Sequence, residues 1–202
     1  MGKYKTPTRG RILDESRELI FKNGFGGTTV DQIIERAGIT KGAFFYHFKS
    51  KADLALALVE DFALFDRERH AQALSATEHL VDQPKQRLLA FIQFYIQVFE
   101  ELQEPPGCLF ASVSNQQNLF EEEVKQVVTK AFTEWERVFA ELLDAVLAQH
   151  PPKKAIDRAS LLSHFNVVLE GAFILSKAMN DPKAPTLHLR QLKDYLDLLF
   201  ED

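Results

Sequence analysis

Few side chains in this 202-residue sequence could ligate a metal or move a proton: six histidines, one cysteine and some carboxylate runs. His47, His70, His79, His150, His164 and His188 form no pair at metal-ligand spacing, and Cys108 alone builds neither a thiolate zinc site nor an internal disulfide. Glu121, Glu122 and Glu123 read as a solvated helix start whose charge complements the helix dipole. Gly24, Gly26 and Gly27 fall between two helices rather than after a strand, so they are no phosphate-cradling loop, and nucleophile-elbow and kinase signatures are absent. The sequence therefore points away from an enzyme, and no cofactor or metal is expected. What remains is a cluster of a different kind: Lys41, Gly42, Ala43, Phe45, Tyr46, His47, Lys49 and Lys51. Small residues followed by aromatic and basic ones suit a helix that approaches a duplex groove closely and grips phosphates beside it.

The elements that position this cluster are legible around it. Val30, Ile33, Ile34 and Ala37 recur at helical spacing. Thr29 with Gln32 has capping-box spacing, and Gly38 stands where a helix stop wants a left-handed residue. Thr40 then caps a second helix in which Ile39, Phe44 and Phe48 face inward. Helix, short turn with glycine, helix is a helix-turn-helix pattern. The alternative is an ordinary helical hairpin whose aromatics are core.

Thr28 to Leu54, TTVDQIIERAGITKGAFFYHFKSKADL, resembles the TetR family (AcrR-like) of bacterial transcriptional repressors, whose members carry a similar run. One departure is Phe45, where the family usually has a tyrosine that contacts a phosphate. The resemblance is specific over about the first quarter of the chain. It implies an all-α fold: an N-terminal three-helix DNA-binding domain, a C-terminal helical ligand-binding and dimerisation domain, and about nine helices. The expected domains are residues 1–50 and 51–202.

Charge supports that division. The chain carries a net −5, yet residues 1–51 hold ten Lys/Arg against five acids, while residues 52–202 hold fourteen against twenty-four. One end is suited to a polyanion and the other is repelled by it. Hydrophobic content of 46% and charged content of 26% are those of a globular protein. The N-terminus lacks an apolar signal region and no apolar run approaches about 18 residues, so the expectation is a cytoplasmic protein with no membrane partner. Lys3, Lys5, Arg9 and Arg11 form a basic arm suited to phosphates or the minor groove.

Further helices are expected from Pro7 to about Asn23, with Gly24 in a left-handed stop; from Ser50, with Asp53 as its capping partner, to about His70; and from Pro84 to about Gln103. A short one follows Cys108, another runs from an Asn118–Glu121 capping box to about Gln149, and two close the chain at about 156–179 and 186–200. The segment 71–83 carries no clear pattern.

The roles expected for the cluster are as follows. Thr29, Thr40 and Lys41 meet phosphates at the helix N-termini, and Gly42 and Ala43 allow approach to base edges. Phe45 and Tyr46 lie one turn on, with Tyr46 contacting a base or phosphate, and His47 and Lys51 grip the backbone. One motif reads only a few base pairs, so a homodimer on palindromic double-stranded operator DNA is expected. The last two helices would form its four-helix bundle, as the resemblance also implies, although they could simply close a monomer core.

The resemblance further implies a small-molecule effector held among the later helices, which releases the repressor by changing the spacing of its DNA-binding domains. Phe94, Phe99, Phe132, Trp135, Phe139 and Phe173 are candidate apolar walls and Asn166 and Glu170 candidate polar anchors for an apolar or aromatic ligand. These aromatics read equally as core. Cys108 joins the candidates, because a cysteine at this place resembles a subset of the family that senses oxidants or electrophiles; a lone cysteine is otherwise a small buried hydrophobe. The alternatives to a ligand-responsive repressor are thus a redox or electrophile sensor acting through Cys108, and an all-α protein-interaction module whose basic hairpin docks an acidic partner.

Overall fold

The computed structural model describes residues 7–114 and 122–200. Among them are nine α-helices and one 3-10 turn, with a single isolated β-bridge between Pro152 and Phe200 and no strand. The chain divides into two compact units, Met1–Arg67 with Cys108–Ala131 and Glu68–Gly107 with Phe132–Asp202.

The first unit opens with α1 (Pro7–Gly27), α2 (Val30–Ala37) and α3 (Lys41–His47). Its core is Ile12, Leu13, Ile20, Ile33, Phe44, Phe48, Leu54 and Leu58, all nearly solvent-free. Capping follows the sequence closely. Thr29 and Gln32 form the reciprocal box, with Gln32 N donating to Thr29 Oγ1 at 3.2 Å and Thr29 N to Gln32 Oε1 at 2.8 Å. Gly38 ends α2 at φ 60°, ψ 42°, the left-handed conformation that costs glycine least. Gly24 differs from the expected helical stop. Its φ is 74° but its ψ is 163°, so α1 breaks there and resumes to Gly27. Thr28 closes the break by donating its hydroxyl to Gly24 O at 2.8 Å.

α4 (Lys51–Ala76) begins where Asp53 N donates to Ser50 Oγ at 3.0 Å and Asp53 Oδ2 accepts from Lys49 N at 2.8 Å. It runs a turn and a half past His70, and Thr77 stops it by donating its hydroxyl to Ala73 O at 3.0 Å. The 3-10 turn Glu78–Leu80 follows in the segment that lacked a pattern. The first unit therefore includes the N-terminal part of α4, whose Leu54, Ala55 and Leu58 are buried, beyond the expected boundary at residue 50. It also takes in α6 (Leu109–Ser114), which packs on α1. The Asn118–Glu121 capping box lies outside the described residues; α7 is described over Glu122–Gln149.

The second unit is built on α5 (Pro84–Glu100), most of α7, α8 (Arg158–Met179) and α9 (Ala184–Leu199), with α9 packed against both α5 and α8. Asp157 caps α8 by accepting from Ala159 N at 3.1 Å, and Asn180 ends it in the left-handed conformation. Leu88, Ile92, Ile96, Leu143, Val146, Leu189, Leu192 and Leu196 make the central core. The chain end is strapped down by Lys153 N donating to Leu199 O at 2.8 Å and by Lys85 Nζ donating to Phe200 O at 3.3 Å. The length of α8 and its mean hydropathy of 1.4 would suffice for a membrane span; no unbroken apolar run marks it, because His164 and Glu170 interrupt the pattern.

Buried among these helices, His70 shares a 2.6 Å hydrogen bond between its Nδ1 and the Tyr95 hydroxyl. Burial pushes its pKa down to about 4, outweighing the opposing influence of Glu134, with Arg137 and Arg69 adding to the depression. Between that value and the ordinary one near 6.5, the unfolded chain takes up a proton that the folded chain refuses. Stability is thus full above about pH 6.5 and falls as pH drops toward 4, by on the order of 3 kcal/mol. Urea melts from pH 7 to 4 on the wild type and His70→Gln check this: the variant should lose most of the excess acid slope.

Candidate nucleic-acid interface

α3 sorts its side chains by face. Phe44 is fully buried, with Phe48 tilted against it at 5.9 Å between centroids. This fixes the helix by two aromatic anchors four residues apart and leaves the other residues outward. Tyr46 is 84% exposed and Phe45 43% exposed. Lys41, Gly42 and Lys49 are also exposed, while Ala43 and His47 are half-buried beside them. Phe45 meets Phe44 edge-on at 5.3 Å, and the Tyr46 and His47 rings lie edge to face at 5.0 Å. Thr40 accepts from Ala43 N at 3.2 Å and is itself exposed, as is Thr29 at the start of α2. Thr40, Lys41, Gly42, Ala43, Phe45, Tyr46 and His47 thus lie together at the start of α3 and along it, while Thr29 caps the helix before it.

Lys51 is placed differently. Its ammonium donates to Phe25 O at 2.6 Å and stands 4.3 Å from the Phe25 ring centroid. Partial burial lowers its pKa. A cation held this way braces the break after Gly24. Lys51→Met is expected to cost about 1–2 kcal/mol of stability while leaving the salt dependence of DNA binding near wild type. Lys41→Met should flatten that dependence by roughly one phosphate contact. Paired denaturation and salt titrations of the two variants read both effects.

Two further basic residues of the expected cluster and arm lie near α3, Lys49 and Arg9. Lys49 follows α3 directly, with its backbone N–H capped by Asp53. Arg9, at the root of the basic arm, lies over the Phe48 ring at 5.3 Å. Nothing in the local spacing of Arg9 marks that contact, because its partner is 39 positions away. Lys3 and Lys5 lie outside the described residues. Arg36 turns instead to Glu15 at 2.5 Å.

The effector candidates separate into groups. Trp135 and Phe139 stack on Phe165 at 5.3 and 5.6 Å, Tyr95 joins Trp135 at 5.4 Å, and Phe94 meets Tyr95 at 5.6 Å. Phe99 and Phe173 form a second pair, edge to face at 5.5 Å. Phe132, Asn166 and Glu170 are half-buried. These rings pack on one another as core. His70, whose ring lies 4.0 Å from that of Trp135, is a polar member that the sequence did not single out. Cys108 stands apart: it is buried and belongs to the first unit, next in sequence to α6.

Known proteins share both the sequence pattern and the fold. Residues 12–58 match the family profile described as bacterial regulatory proteins, tetR family, and residues 84–192 match that of a tetracyclin repressor-like C-terminal domain. The chain is 25% identical to the HTH-type transcriptional regulator LmrA of Bacillus subtilis over 183 residues, 90% of this chain and 92% of that protein. It is 35% identical to the HTH-type transcriptional regulator TtgR of Pseudomonas putida over 95 residues, 47% of this chain and 42% of that protein. A TetR-family regulator from Agrobacterium tumefaciens has the same fold, with a TM-score of 0.78 at 22% identity, covering 96% of this chain and 98% of that one.

Proposed function

Because the chain belongs to the TetR family of helix-turn-helix transcription regulators, we propose that it is a repressor that binds palindromic operator DNA as a homodimer and is released by a small-molecule effector. The observation that carries this reading is the outward face of α3, where Lys41, Gly42, Phe45, Tyr46 and Lys49 are exposed while Phe44 and Phe48 hold the helix from beneath. A solvated helix face ordinarily bears Glu and Lys; exposed aromatics beside glycine and lysine suit a groove. In this reading residues 1–50 read the operator, and residues 51–202 hold the effector and the second copy. The protein then works in the cytoplasm, with DNA, an apolar or aromatic effector and its own copy as partners.

The outer side of the last two helices supports the dimer. Val167, Ile174, Leu175 and Met179 on α8 and Leu187, Tyr195 and Leu198 on α9 are exposed. Val167 and Ile174 are one heptad apart, and Leu187, Tyr195 and Leu198 fall on one stripe, the pattern of an unfilled helical interface. That same face explains the high hydropathy of α8. In this reading an apolar effector has to part the rings that pack around Phe165, with Asn166 and Glu170 as its polar anchors.

The test is a gel-shift titration with DNA from upstream of the chain's own coding sequence, at several salt concentrations, against random competitor. Specific retention with a two-fold symmetric footprint is expected. Equal affinity for random DNA at every salt concentration would overturn the repressor reading and favour an acidic protein partner for the basic hairpin.

A further inference from the structure

We propose that Arg87 anchors a second small-molecule site in the helical unit, one that takes a short-chain aliphatic carboxylate. The end of α4, the segment entering α5, and α7 line a cleft of about 110 Å³ that is open to solvent on the side of Val81, Glu141 and Ala145. Leu74, Val81, Pro84, Leu142 and Ala145 give it apolar walls, and none of them belongs to the aromatic group around Phe165. Two charged residues complete the lining, Arg87 and Glu141.

Their situations differ. Glu141 Oε1 accepts from Arg137 Nη1, and the same guanidinium is held by Glu134 at 2.7 and 3.0 Å. One guanidinium thus serves two carboxylates, so Glu141 is paired but keeps part of its charge. Arg87 has no such partner: its Nε is buried without a hydrogen-bond acceptor among the described residues, and no described carboxylate forms an ion pair with it. A cationic N–H removed from water and left unpaired is one of the less favourable states a polar group can occupy. A guanidinium is also the side chain whose planar fork matches a carboxylate with two parallel hydrogen bonds.

Size and wall chemistry narrow the ligand. The volume equals that of roughly three to four liquid waters, which suits a carboxylate with two to four carbons. Leu74, Pro84 and Leu142 cover a short alkyl tail, whereas Arg87 alone cannot supply donors to all the oxygens of phosphate or sulfate. Glu141 also disfavours a dianion more than a monoanion.

The experiment titrates the full-length protein with sodium butyrate, butan-1-ol, sodium phosphate or sodium chloride at constant pH and ionic strength, read by calorimetry and by thermal shift. Butyrate should bind saturably, one per chain, and raise the Tm; butanol and chloride should not. Arg87→Met should lower butyrate affinity at least tenfold without lowering the ligand-free Tm. Ala145→Leu, which fills the cavity and keeps Arg87, should do the same to affinity. Absence of saturable butyrate binding, or binding unchanged in either variant, overturns the site. Phosphate binding with butyrate silent overturns the ligand class. Operator retention with and without butyrate reads the repressor proposal separately, because the Arg87 site stands or falls on occupancy alone.

Discussion

Gly42→Glu should leave the protein folded and lower operator affinity by about 100-fold or more. Gly42 is the second residue of α3, is exposed, and does not have a positive φ. A Cβ placed there meets nothing closer than Thr40 Oγ1 at 3.9 Å. An acid in the first turn of a helix is mildly favourable to it, by a few tenths of a kcal/mol. The melting curve should therefore match the wild type or improve on it. At the operator the same carboxylate would stand among phosphates, beside the exposed Lys41, where like charge costs several kcal/mol. Gly42→Ala, equally well folded, should show a smaller loss from steric approach alone. A folded Gly42→Glu protein that keeps normal operator affinity would show that this end of α3 does not enter the groove.

Ile174→Glu should separate the proposed dimer into monomers and remove most operator binding with it. Ile174 is 64% exposed on α8, one heptad from the exposed Val167. In the proposed dimer, two-fold symmetry places the substitution in the interface twice, so two carboxylates are brought together in an apolar seam. The penalty is about 3–5 kcal/mol, or two to three orders of magnitude in the dimer constant. The monomer should remain helical, since Ile174 is not part of the buried core. Sedimentation velocity checks the assembly and gel shift checks the binding. A dimer of unchanged stability would mean that the copies meet elsewhere.

Much of the DNA-reading bundle was legible because its determinants are local. Thr29 with Gln32, Gly38, Thr40, and Ser50 with Asp53 each act on backbone groups within about one helical turn. The inward spacing of Phe44 and Phe48 leaves the remaining residues of α3 outward, whatever the rest of the chain does. Less was legible where a local signal was ambiguous. Gly24 announced a positive φ, but its ψ depends on how Thr28 and Phe25 close the turn. The end of α4 depends on Thr77, whose hydroxyl serves the preceding carbonyls rather than beginning a new helix.

Order along the chain was thus enough to determine the helices, the motif, the separation of charge and the face of α3 that meets the outside. Those properties arise from interactions spanning a few residues or from simple sums over a segment. Only the tertiary structure decided that Lys51 is committed to a carbonyl 26 residues before it. The same holds for Trp135 and Phe139, which stack on Phe165 as core, and for Arg87, whose Nε is buried without an acceptor among the described residues. Each of these depends on which distant atoms arrive beside the side chain and on how much water they displace. Helical periodicity assigns a residue to a face, but it carries no information about what that face will touch.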